Sequence, residues 1–318
     1  MKLILTFSFG RGNPEPWRYF STDVMLNAID LLTGRNGVRR PRGVRVWVDS
    51  GGFQLLNGKM EELTVHEILE AQAKLKPDYA VMPDDPRSPR LSLKRYREAL
   101  DLAPKLGLRA ELVPVVHTTW KREMLHSLCE EIDFEVLAVG GVAPGLSRPF
   151  RISAAKALIR FIWKLKSIMK REAALHVLGV GGPSLIPALA ALGIDSLDTA
   201  SWIHDARYGV VRVGAKAFTV KVRGRDRLPR LLSYPDCRCP ICREGPEALR
   251  KTGLEGLRAR AVHNAFNLLE MCQVVSRSPR DPASIMSHLE SEGMLSRTAK
   301  ILLEEVEKLE ESPSTPMQ

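Results

Sequence analysis

Val44-Arg45-Val46-Trp47-Val48-Asp49-Ser50-Gly51-Gly52-Phe53-Gln54 is a short β-branched run that closes on a carboxylate and two glycines. It reads as a buried strand that delivers an acidic residue to its C-terminal tip. Six more apolar runs share this build: Leu3–Phe7, Asp78–Met82, Leu112–Val116, Val136–Val139, His176–Val180 and Ile194–Leu197, with Gly, Asp or Pro close behind. Amphipathic stretches of helical length lie between several of them, as at Thr64–Leu75, Leu91–Leu106, Ser153–Lys170 and Pro183–Leu192. Alternating β and α elements give a parallel sheet with helical crossovers. Polar residues follow so many successive strands that the α/β class narrows from an open doubly wound sheet to a (β/α)8 TIM barrel, which collects its site on one face. Seven strands are visible, and the eighth is not.

The 318 residues, 44% apolar and 26% charged, suffice for a large core and exclude disorder as the dominant state. No apolar run approaches the roughly 20 residues of a membrane span, and MKLILTF lacks a small-residue cleavage pattern, so a soluble, cytoplasmic protein is expected. Residues 1–224 are assigned to the barrel, and residues 225–318 to a metal-binding subdomain with C-terminal helices. Val210–Arg223 reads as a hairpin near that boundary, Gly256–Val275 and Ile285–Leu309 as helices, and Glu311–Gln318 as a disordered polar tail. The net charge is +10. Lys221–Arg260 holds 11 Lys/Arg against 5 Asp/Glu, which concentrates the excess there and points to a polyanionic partner such as nucleic acid. The basic stretch Lys156–Arg171 reads instead as the solvated face of an outer helix.

Three of the five cysteines, Cys237, Cys239 and Cys242, fall within six residues, and His263 follows after 20 intervening positions. Three thiolates and an imidazole complete a tetrahedral zinc site, and four protein ligands leave no position for substrate, so the metal is read as structural.

The strand ends carry Asp49-Ser50-Gly51-Gly52-Phe53-Gln54, Asp84-Asp85, His117, Gly140-Gly141, Gly179-x-Gly181 and Asp198, in that order before the cysteines. From about Val44 to Asn267 this series closely resembles the tRNA-guanine transglycosylase family. The resemblance implies a zinc-containing TIM barrel that exchanges a guanine of nucleic acid for a 7-deazaguanine base. It assigns Asp198 as the nucleophile on the ribose anomeric carbon and Asp49 as the general acid/base. Asp84 pairs with the guanine amidine edge, Asp85 being the alternative one residue on. Gly140 and Gly141 bind the base through the backbone, and Phe53 and Leu178 sandwich its ring. The chemistry asks for these types: one carboxylate to trap oxocarbenium character covalently, a second to move the proton, and a pocket for a base taken out of its stack.

The chain departs from the family pattern at two places. His117 stands where glutamine is usual and helps to bind the base, so base choice or pH dependence differs. In His204-Asp205-Ala206-Arg207-Tyr208-Gly209 only Arg207 is kept of two arginines that contact tRNA. The length leaves no room for the extra RNA-binding modules of archaeal members, and a DNA-modifying relative therefore stands beside tRNA as the substrate class. A non-catalytic nucleic-acid-binding or partner subunit is the third reading, and the resemblance leaves room for a homodimer.

Overall fold

The computed structural model describes residues 1–10, 12–34, 37–52, 63–141, 151–169, 172–220 and 237–312. Nine parallel strands form one sheet: β1 (Lys2–Thr6), β2 (Val24–Asn27), β3 (Val46–Asp49), β4 (Tyr79–Val81), β5 (Glu111–Val113), β6 (Val115–His117), β7 (Val136–Gly140), β8 (Ala174–Val177) and β9 (Ser196–Thr199). Their order is β5-β4-β3-β2-β1-β9-β8-β7-β6. The two outermost strands are halves of one, interrupted at Pro114, whose ring nitrogen carries no hydrogen to donate. The Val113 carbonyl accepts from Met82 N at 2.9 Å, on the β4 side, and the Pro114 carbonyl accepts from Ala138 N at 2.9 Å, on the β7 side. This strand therefore closes the sheet into an eight-position barrel, as the sequence predicts.

The strand invisible in the sequence is β2. Its four residues, Val24-Met25-Leu26-Asn27, run directly into helix α1 (Ala28–Leu32), which Asn27 caps by accepting from Ile29 N at 2.9 Å. It lies between β1 and β3, with Asn27 paired in register to Asp49.

Period-two alternation sorts the side chains into two layers. Ile4, Met25, Trp47, Val81, Val115 and Ala138 fill the barrel interior. Their neighbours Leu3, Leu5, Val24, Val46, Val48, Leu137 and Val177 face the surrounding helices. By the same phase Thr6, Asn27, Asp49, His117, Gly140 and Asp198 complete the inward row at the C-terminal end, where a barrel keeps its site.

The outer ring includes α2 (Val65–Leu75), α3 (Pro89–Leu102), α4 (Arg122–Glu131), α5 (Ile152–Lys166), α6 (Ile186–Ala191) and α7 (Ser201–Arg207). A capping box of Thr64 and Glu67 starts α2, and Ser88 caps α3. The hairpin forms as β10 (Val210–Val213) and β11 (Lys216–Thr219), followed by α8 (Pro240–Glu244) and the 25-residue α9 (Gly253–Arg277), which packs on α7 and β1. The helix expected over Ile285–Leu309 is two, α10 (Pro282–Ser291) and α11 (Arg297–Glu311), because Gly293 takes φ 64° and Ser296 starts a new helix by capping Ala299 N. The basic face of α5 is also not simply solvated: Lys156 and Arg160 pair with the buried Glu305 of α11 at 2.9 and 2.6 Å, and Lys166 donates to the Leu192 carbonyl. Of the predicted polar tail, residues 313–318 lie outside the described residues. Among the described residues no helix is long and apolar enough to cross a membrane.

Candidate active site

Asp198 is buried at the end of β9 and accepts three hydrogen bonds. Thr6 Oγ1 donates to Oδ2 at 2.5 Å; Gly179 N at 2.7 Å and His176 Nε2 at 3.3 Å reach Oδ1. Gly179 can turn its N–H inward because it sits at φ 73°, a conformation costly for residues with a Cβ. His176 is fully buried, its Nδ1 lies 2.9 Å from Ser196 Oγ, and its ring stacks on Trp47 at 4.7 Å. Trp47 stacks in turn on Tyr79 at 4.1 Å. The carboxylate is thus held from β1, from β8 and from the turn after β8 by donors suited to an anion.

Asp49, at the tip of β3, accepts from Asn27 Nδ2 at 3.2 Å. Burial, and then the charges of Asp198 and Asp84, push its carboxyl up to about 7 against the opposing pull of the Gly51 and Ser50 backbone amides. A carboxyl poised near neutrality can both give and take a proton, as a general acid/base must. The same shift has a stability consequence. Because the folded value lies above the unfolded one, the charge penalty is absent below about pH 4, grows as the pH rises, and is complete above about pH 7. Asp49→Asn is expected to unfold at higher urea than the wild type at pH 8, by on the order of a few kcal/mol, with the gap closing towards pH 4. An equal gap at both pH values would contradict the assignment.

Of the two adjacent aspartates after β4, Asp84 turns into the mouth and Asp85 does not. Asp85 Oδ1 accepts from the backbone of Arg87 at 2.8 Å and Ser88 at 3.2 Å, a turn-forming role. Asp84 Oδ2 lies 2.6 Å from His117 Nε2, and a Cβ on Gly52 would stand 2.7 Å from Asp84 Oδ1, so a side chain there would have to displace the carboxylate. His117 is 4% exposed, and its Nδ1 has no hydrogen-bond partner among the described residues. That atom faces the β7 tip, where a Cβ on Gly141 would come within 2.5 Å of it. Leu178 is half-buried against the barrel interior, its Cδ1 3.5 Å from the Cβ position of Gly140. The mouth therefore brings together Asp49, Asp84, His117, Gly140, Gly141, Leu178 and Asp198; Phe53 lies outside the described residues. Arg207 is set apart on α7, where Nη2 donates to Asn13 Oδ1 at 3.1 Å, and the exposed His204 packs its ring near Tyr208 at 5.1 Å.

Sequence reasoning misses Thr6, Asn27 and His176. The signal was the inward phase set by Asp49 and Asp198, which becomes readable once the barrel register is known.

The second constellation lies at α8 and α9. The sulfurs of Cys237, Cys239 and Cys242 stand 3.6, 3.4 and 3.4 Å from His263 Nδ1, and all four donor atoms lie within 4.8 Å of one another. Hydrogen bonding from Cys239 and Cys242 holds the Cys237 thiol far below the usual thiol range. His263 Nε2 donates to the Arg212 carbonyl at 2.6 Å, which turns Nδ1 towards the sulfurs. Cys239 also caps α8, its sulfur accepting from Cys242 N at 3.2 Å. The donors fit one tetrahedral ion, with no fifth ligand position in evidence among the described residues.

Neighbouring contacts fasten this cluster to the barrel. Asn264 accepts from Arg212 N at 2.9 Å and donates to the Val210 carbonyl at 2.9 Å, and the Arg212 side chain pairs with Asp205 of α7. The buried Arg260 donates to the carbonyls of Ala206, Leu249 and Lys251.

The family model described as queuine tRNA-ribosyltransferase matches residues 44–278. A tRNA-guanine(15) transglycosylase of Pyrococcus abyssi is 27% identical over 270 residues, covering 80% of this chain and 42% of the relative. Its namesake in Methanopyrus kandleri is 29% identical over 246 residues (73% and 50%), and that of Methanosarcina mazei 29% over 296 residues (85% and 57%). The chain thus spans about half the length of the curated relatives it matches.

Proposed function

The chain belongs to the queuine tRNA-ribosyltransferase family, and from that premise we propose that it is a pentosyltransferase exchanging guanine in tRNA for a 7-deazaguanine base. The observation that carries the reading is the pairing, in one barrel mouth, of a carboxylate held by three donors, Asp198, with a carboxyl raised to about 7, Asp49.

The two residues divide the chemistry. Asp198 attacks the ribose C1′ as the bond to guanine N9 breaks, and Asp49, starting protonated, gives its proton to the departing base. In the return step the incoming base attacks C1′ through N9, the Asp198 ester bond breaks, and the N9 proton passes to Asp49. Protons and charge balance over the cycle. Asp84 reads the donor edge of the base, with Gly140 and Gly141 along its oxo edge, His117 beside Asp84, and Leu178 and Phe53 on its faces. With Nε2 donating to Asp84, His117 Nδ1 is left as an acceptor for an N–H of the bound base, a contact that meets an otherwise unmet buried polar atom. Zinc is the ion that suits Cys237, Cys239, Cys242 and His263, and its contribution is structural: it ties α8 to α9 and, through Arg212 and Asn264, to the helix after β9. Arg207 and the basic stretch before the cysteines supply phosphate contacts.

Labelled guanine is expected to enter bulk tRNA, and to enter duplex or single-stranded DNA at least about tenfold more slowly. Faster exchange into DNA would assign the chain to DNA modification, and no exchange into either would favour a non-catalytic subunit.

A further inference from the structure

The donors on Asp198 are unevenly shared. Oδ1 takes two, from Gly179 N at 2.7 Å and His176 Nε2 at 3.3 Å, whereas Oδ2 takes one, from Thr6 Oγ1 at 2.5 Å. A carboxylate oxygen has two in-plane lone pairs, so Oδ1 is filled and Oδ2 retains one. We propose that Oδ2 is the attacking oxygen and that Thr6 is a positioning residue that keeps the covalent intermediate from accumulating, an inference that rests on the transglycosylase reading above.

In the first step an Oδ2 lone pair forms the bond to C1′ while the C1′–N9 pair leaves with the base. Oδ2 is then an ester oxygen, a poor acceptor, and the strong charge-assisted bond from Thr6 is lost. Oδ1 becomes the ester carbonyl and keeps Gly179 and His176. In the second step the C1′–Oδ2 pair returns to Oδ2, restoring a full acceptor for Thr6. The hydroxyl therefore stabilises the free carboxylate more than the ester, and it favours discharge of the intermediate. Thr6 is fixed for this task from behind: its carbonyl accepts from the indole of the buried Trp202 at 3.1 Å, and β1 pairs with β9 so that Ile4 stands opposite Asp198. Both of those anchors are independent of the hydroxyl, so a side-chain change at Thr6 leaves them in place.

The test titrates guanine against the covalent adduct formed by the full chain with bulk tRNA, quenched in denaturant. Thr6→Val is expected to need about tenfold more guanine than the wild type to discharge half the adduct. Thr6→Ser, which keeps the hydroxyl, is expected to return to within about twofold of the wild type. Thr6→Ala is the second hydroxyl-free variant should valine disturb folding, and an unfolding midpoint is measured for each. An identical guanine midpoint for wild type and the hydroxyl-free variants, or a serine variant that behaves like valine, overturns the role of Thr6 while leaving the proposed function intact. A wild-type protein that forms no adduct with tRNA or DNA overturns the proposed function, and the role of Thr6 with it.

Discussion

Asp198→Ala is expected to reduce guanine exchange by at least about a thousandfold, because it removes the group that holds the sugar between the two bases. Initial rates of labelled-guanine incorporation into tRNA check this, with circular dichroism to establish folding. The variant leaves Thr6, Gly179 and His176 with no acceptor, a cost of about 1–3 kcal/mol for each donor that water does not reach. Partly offsetting it, one of three carboxylates in the mouth is gone. The charge of Asp198 is the second-largest cause of the raised Asp49 carboxyl, so the variant should also titrate Asp49 at lower pH. Exchange at more than a tenth of the wild-type rate would remove Asp198 from the nucleophile's role.

Cys239→Ser is expected to bind less than one zinc per chain and to unfold roughly 10 °C lower, a loss on the order of 5 kcal/mol or more. The size follows from position. Cys239 is 0% exposed, caps α8 and meets His263, and the His263–Arg212 and Asn264–Val210 bonds carry the cluster's order into the hairpin and α7. Metal analysis beside a thermal melt, repeated with a chelator on the wild type, reads both quantities. A metal-free variant as stable as the wild type would sink the structural-zinc proposal.

Much of the barrel was legible because a buried parallel strand needs a dense apolar run, and seven such runs stood out, most of them with Gly, Asp or Pro directly behind. The missing one, β2, has only four residues and passes without a break into α1, so Asp23 to Leu32 carries no strand period long enough to see. The closing strand was legible as Leu112–Val116, but its division at Pro114 between two partners depends on closure. The helix read over Ile285–Leu309 was apolar at helical spacing throughout, and only the positive φ of Gly293 and the cap at Ser296 divide it.

At the site, Asp49, Asp84 and Asp198 could be named because carboxylates at strand tips stand out against apolar runs. Thr6 and His176 could not, since each is an ordinary residue until the register sets it against Asp198. The choice between Asp84 and Asp85 likewise needed the turn, where Asp85 is consumed by the amides of Arg87 and Ser88. The metal ligands were read from spacing alone because thiolate clusters have few other uses, whereas the lock on His263, the Arg212 carbonyl, lies 51 residues away in the chain.

The most direct test of the account is to quench the wild-type protein with tRNA in denaturant, digest it, and map the ribosylated peptide by mass spectrometry. The account predicts a nucleic-acid adduct on Asp198 that disappears when excess guanine is added. An adduct on Asp49, or none on any carboxylate while exchange proceeds, would contradict it.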